Sequence, residues 1–94
     1  MRGLLGRPAL RESEAMVISP CNMVHTIGMS YPIDVVFADR HGVVLRISPR
    51  VVPSRMRMCL RAKYVVEMKA GEAARRSWTR GTRLAFLVAS KEAS

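Results

Sequence analysis

At 94 residues the chain has length for one hydrophobic core, and apolar residues make up 49% of it, which excludes a disordered polymer. No run approaches the roughly 20 apolar residues of a membrane helix. The net charge is +9, with arginine supplying 13 of the 16 cationic side chains. Such an excess fits an anionic partner (a protein, a nucleic acid or a phosphorylated metabolite), although charge bears on solubility and not on fold. Aromatics are scarce: Tyr31, Phe37, Tyr64, Trp78 and Phe86. Seven methionines supply flexible core filling in their place.

The first fifteen residues hold two glycines, Pro8 and the polar run Arg11-Glu12-Ser13-Glu14, and read as a loop or short helix. Met1-Arg2-Gly3-Leu4-Leu5 is too short in apolar residues for a secretory signal, so the expected location is cytoplasmic. Cys21 and Cys59 permit one disulfide, which a reducing cytoplasm disfavours.

Met16-Val17-Ile18, ended by Ser19-Pro20, has the texture of a short buried strand. Asn22 to Met29 shows no clean period, and Gly28 marks a bend. Pro32 opens the strongest strand signal, Ile33-Asp34-Val35-Val36-Phe37-Ala38, whose near-continuous apolarity predicts cover on both faces. Asp39-Arg40-His41-Gly42 is a turn and Val43 to Ile47 the returning strand of a hairpin. Pro49 and Pro53 are expected to break regular structure.

Arg55 to Arg61 alternates. This predicts an exposed strand with Arg55, Arg57, Cys59 and Arg61 outward and Met56, Met58 and Leu60 inward, or a loop of the same composition. Tyr64 to Met68 is a further strand, and Glu72 to Arg76 suits one or two helical turns with charges matched to the helix dipole. After Gly81, Leu84 to Val88 reads as a last strand, followed by a polar, frayed tail. Residues 1–94 therefore read as a single, mostly β domain: a small antiparallel sandwich or barrel-like fold with one or two short helices.

Four stretches in order resemble one family, the domain of unknown function 192 family. They are Arg2-Gly3-Leu4-Leu5-Gly6-Arg7; Cys21-Asn22-Met23-Val24-His25-Thr26-Ile27-Gly28-Met29 with Pro32 to Phe37; the hairpin Asp39 to Val44; and Ala62 to Glu67 with Ala70-Gly71 and the Gly81 turn. The resemblance spans nearly the whole chain. It implies a compact, mainly antiparallel β domain of bacteria and archaea with no established activity, so it carries a fold and not a reaction. Two departures stand out. Relatives place another β segment ahead of the Gly-Leu-Leu-Gly-Arg motif, so either the true start lies upstream or this version lacks an edge strand; the second case would expose a neighbouring strand and favour strand-paired dimers over monomers. Relatives also pair the last glycine with Asp, where this chain has Thr82.

Candidate site residues gather between Cys21 and Asp34. On a helix, Cys21, His25 and Met29 would share a face and offer a soft set suited to copper(I). Pro20, Thr26, Gly28 and Pro32 oppose such a helix, His41 and Cys59 lie elsewhere, and neither a metal nor a cofactor is expected. Cys21 as nucleophile, His25 as base and Asp34 as orienter would make a small Cys/His-dependent enzyme, if folding brought them together. The simpler reading makes Cys21 a small buried hydrophobe, and Asp34 and Glu67 carboxylates paired to arginine or accepting backbone N–H groups. Between these lies a polar pocket of Cys21, His25, Thr26, Met29, Asp34 and Glu67 that could hold a small ligand.

Two arginine-rich stretches, Arg46, Arg50, Arg55, Arg57 and Arg61, and Arg75, Arg76, Arg80 and Arg83, would form an anion-binding surface if they shared a face. Trp78 stands alone among them, so stacking with bases is not indicated. The function read from the sequence is a non-enzymatic binding or accessory module of unknown ligand. The alternatives are the Cys/His enzyme and a weakly selective electrostatic nucleic-acid binder.

Overall fold

The structure, a computed structural model, describes residues 15–92. The readings of residues 1–14, including the Gly-Leu-Leu-Gly-Arg stretch, fall outside those described. Strands β1 (Ala15–Ile18), β2 (Met23–His25), β3 (Ile33–Ala38), β4 (Val44–Val51), β5 (Met56–Met58) and β6 (Tyr64–Lys69) are followed by helices α1 (Glu72–Arg75) and α2 (Ala85–Glu92). The main sheet runs β1-β6-β3-β4, antiparallel throughout, and β2 pairs with β5 in a separate ribbon.

Every residue of β3 is buried, as its unbroken apolar run requires. One face of the sheet carries Ile33, Val35, Phe37 and Val65, packed with Val24, Met29 and Val51. The other carries Val36, Ala38, Val66 and Met68, packed with Ala73, Leu84 and Leu87. The sheet is thus the middle of three layers, with ribbon on one side and helices on the other. This is a mostly β, antiparallel architecture with two short helices.

Besides β1, a half-exposed edge strand with Val17 45% exposed where a buried strand is expected, three expectations need correction. Ala85 to Val88 is helical, not a strand, with Leu84 just before the helix: Leu84 and Leu87 are buried while Ala85 and Phe86 are exposed, the three-residue spacing of a helix face. A five-residue apolar run leaves both periods open, and the polar tail extends this one as helix to Glu92. β4 also continues through Pro49 to Val51. It is an edge strand, where proline removes no ladder bond, and the register shifts opposite it, between Ile33 and Val35, where Arg50 takes φ 50°.

The third correction concerns β5. Its faces are inverted relative to the alternation: Met56 is 56% exposed, Met58 40% and Leu60 75%, while Arg57 is half-buried opposite the fully buried Val24. The guanidinium end of Arg57 escapes to the Met56 carbonyl at 2.7 Å, which lets its apolar stem lie inward.

Candidate functional site

The residues expected to form a polar pocket are divided by the sheet. Asp34 pairs with Met68, on the helix side, whereas Glu67 pairs with Val35 and Met16, on the ribbon side. Both carboxylates are buried, but on opposite faces. Met29 belongs to the ribbon-side core. Thr26 is buried and ties down the loop before β5. Its hydroxyl donates to the Val52 carbonyl at 2.8 Å and accepts from the Arg55 N–H at 2.9 Å.

Asp34 serves the backbone. Oδ1 accepts the Arg50 N–H at 2.9 Å, and Oδ2 accepts the N–H groups of Gly71 at 3.1 Å and Ala73 at 2.9 Å. α1 begins on Gly71 with no side-chain cap of its own, so a carboxylate from β3 replaces the usual capping side chain. The bond to Arg50 holds the left-handed residue of β4 in the same corner. Asp34 therefore does not orient His25, and the Cys21–His25–Asp34 arrangement is not assembled. Cys21 is half-buried and its thiol donates to the Met23 carbonyl at 3.2 Å. Cys59 is also a free, half-buried thiol.

The two arginine stretches do not share one face, and the first is itself divided: Arg50 lies beside Gly71 at the start of α1. Arg46 pairs with Phe37 on the ribbon side and donates to the Met58 carbonyl at 2.8 Å, beside Arg55 and Arg57. Arg75 and Arg76 belong to the helical side, where Arg75 grips the Glu72 carboxylate with two bonds of 2.8 Å and Arg76 stands 3.5 Å from it. The hydrogen bonds from Arg75 hold the Glu72 carboxyl below its ordinary value, against an opposing contribution from burial. Arg83 points its Nε to the His41 carbonyl, 3.4 Å away, at the hairpin end. Trp78 does not stand alone: its ring stacks on Phe86 at 6.0 Å, with the Arg76 guanidinium 5.3 Å from its centroid.

A cleft of about 660 Å³ opens on the helix side, between β1 and α2. Val17, Ser19, Pro20, Lys63, Tyr64, Phe86 and Leu87 line it, and Val17 and Phe86 are large exposed apolar side chains. Lys63 holds its ammonium 5.9 Å from the centre of the Tyr64 ring. A smaller recess of about 220 Å³ adjoins Pro20, formed with Cys21, Asn22 and Ala62. The volume of the larger cleft falls in the range of small-molecule sites, and an apolar wall with one cation suits an amphipathic anion. Sequence reading missed this cleft because it depends on α2, which was read as a strand.

The sequence profile of the domain of unknown function 192 family, described as an uncharacterized ACR, matches residues 1–86. The chain belongs to that family. Two solved structures share the fold of this family member. One is a protein of unknown function from Novosphingobium aromaticivorans, with a TM-score of 0.76 and 24% identity over 84% of this chain. The other is described as a putative transcription regulator from Sinorhizobium meliloti, with a TM-score of 0.78 and 23% identity over 86% of this chain. The chain spans 61% of the first structure and 68% of the second. No curated protein matches the sequence. No helix among the described residues is long and apolar enough to cross a membrane.

Proposed function

We propose that this family member is a non-enzymatic binding module whose ligand seats in the cleft between β1 and α2. The observation that carries the reading is the cleft itself: an apolar wall of Val17, Tyr64, Phe86 and Leu87 with the Lys63 ammonium at its edge. The ligand class is a small molecule with an apolar body and one anionic group, of the size that about 660 Å³ admits. Asp34 is fully engaged by three backbone N–H groups, which favours binding over Cys21-based catalysis. Two free thiols fit a reducing, cytoplasmic setting.

A fluorescent naphthalene sulfonate is a suitable probe, since it combines an aromatic body with an anion. Saturable binding is expected. Lys63→Met and Phe86→Ser should each weaken it by about tenfold, equivalent to about 1.4 kcal/mol. Both sites are at the surface or half-exposed, so the fold should persist. Equal affinity for the wild type and both variants would remove the cleft from the account.

A second reading has its own support. The Sinorhizobium relative is described as a putative transcription regulator, and the ribbon side gathers Arg46, Arg55 and Arg57. Electrostatic binding of nucleic acid would follow, with affinity falling linearly on a log–log plot against salt. Arg75 and Arg76 contribute less to it, because Glu72 partly neutralises them.

A further inference from the structure

We propose that the outer face of the β2–β5 ribbon binds a soft monovalent cation, copper(I) or silver(I), through the thioethers of Met23, Met56 and Met58 and the imidazole of His25. The site is separate from the cleft and takes a different class of ligand.

The register builds it. Met23 lies opposite Met58 and His25 opposite Met56, with Val24 and Arg57 between them on the inner face. Cys59 N donates to the Asn22 carbonyl at 2.9 Å, and Thr26 N to the Arg55 carbonyl at 2.8 Å. These bonds place hydrogen-bonded pairs at both ends of the ribbon. By strict alternation, Met23/Met58 and His25/Met56 are then the non-hydrogen-bonded pairs. Such pairs bring their Cα atoms to about 4.5 Å and their side chains closest. The Cα atoms of these four residues thus mark a patch about 4.5 Å across and about 6.6 Å along the strands, three of them carrying soft thioethers and one an imidazole. Each methionine has three rotatable bonds with which to converge.

The residues do not behave as core. Met23, Met56 and Met58 are all among the exposed large hydrophobics, although Val24, on the same strand as Met23, is fully buried. The Nδ1 atom of His25 is buried and has no hydrogen-bond partner among the described residues. The imidazole would therefore offer Nε2, not the buried Nδ1, to an ion on the outer face.

Charge and donor type select the ion. The three thioethers carry no charge, and thioether sulfur prefers copper(I)-like ions. The described residues hold no cluster of three His, Cys, Asp or Glu side chains. Arg46 and Arg57 bond the carbonyls of Met58 and Met56, which fixes the β5 backbone but adds positive charge beside the site. That field opposes a divalent ion more than a monovalent one. The soft set suggested by helical spacing, Cys21, His25 and Met29, is not formed, because this segment is strand and turn and Met29 is in the core.

Silver nitrate in chloride-free buffer is the probe, because silver(I) mimics copper(I) without redox chemistry. Thiolates would compete for it, so the titration uses a Cys21→Ser/Cys59→Ser variant, followed by native mass spectrometry and by the ε-methyl signals of methionine. A single silver ion per chain is expected, shifting Met23, Met56 and Met58 while Met29 and Met68 stay still. Zinc should shift none of them. Met23→Leu/Met56→Leu/Met58→Leu keeps the apolar surface and removes only sulfur, so it should weaken silver binding by at least about tenfold. If the thiol-free variant does not fold, the wild type should show the same methyl shifts once its two thiols are saturated. No bound silver, binding that survives the triple substitution, or shifts at other methionines would each overturn the assignment.

Discussion

Replacing Asp34 by alanine removes one carboxylate and strands three backbone donors, those of Arg50, Gly71 and Ala73. Hydrogen bonds to a charged group contribute about 1.5–3 kcal/mol each, but three on one carboxylate do not add. Disrupting a buried charged network usually destabilises by about 3–5 kcal/mol, and that is the loss expected here. At about 0.05–0.15 kcal/mol per residue, the whole domain is stable by about 5–14 kcal/mol, so Asp34→Ala leaves little at the lower end. Asp34→Asn is the more informative change. It keeps one acceptor oxygen and turns an NH₂ group toward N–H donors on the other side. About 2–3 kcal/mol should be lost, or roughly 10–20 °C in Tm. Urea unfolding followed by Trp78 fluorescence and far-ultraviolet circular dichroism measures this. Asp39→Asn is the control. Among the described residues its Oδ1 accepts from His41 and Val43 in a half-exposed turn, for an expected loss of about 1 kcal/mol. If Asp34→Asn stays within about 0.5 kcal/mol of wild type yet abolishes ligand binding, Asp34 belongs to a site and not to the α1 cap.

Two glycines separate backbone conformation from contact. Gly42, at φ 80°, would place a Cβ 2.8 Å from the Leu84 carbonyl oxygen, whereas Gly81, at φ 94°, has open space around it. Gly81→Ala should lose about 1–2 kcal/mol from the left-handed backbone alone, and Gly42→Ala clearly more, as thermal melts would show; equal losses would contradict the hairpin–α2 contact. Glu72 gives a pH signature. Its folded-state carboxyl is held below the ordinary 4.5 by Arg75, so its contribution is complete above that value and is lost as pH falls through the lower folded value. Glu72→Gln should therefore flatten the acid limb of stability below about pH 4.5; an unchanged limb would show that the Arg75 pair does not form in solution.

Local pattern made most of the sheet legible. The continuous apolar run Ile33 to Ala38 sits at the sheet centre with both faces covered, and Asp39-Arg40-His41-Gly42 closes the hairpin, with Gly42 at φ 80°. Leu84 to Val88 differs from its expected strand because a short apolar run satisfies strand and helix periods alike, and tertiary burial of Leu84 and Leu87 decides between them. Alternation in Arg55 to Arg61 gave the strand but not its facing. Hydropathy alone puts the methionines inward, whereas the Arg57 stem packs opposite Val24 and the methionines face out. Of the six residues expected in one pocket, Asp34 went to the opposite side of the sheet from Glu67, which only register could reveal. The cleft needed the helical α2, so no sequence motif announced it.

The most direct test of a ligand site between β1 and α2 is a residue-resolved amide NMR titration of the wild-type chain with the naphthalene sulfonate probe. Shifts confined to Val17, Ser19, Lys63, Tyr64, Phe86 and Leu87, saturating together, are the predicted result. Shifts centred instead on Arg46, Arg55 and Arg57, or no saturable shifts at all, would contradict the cleft as the binding site.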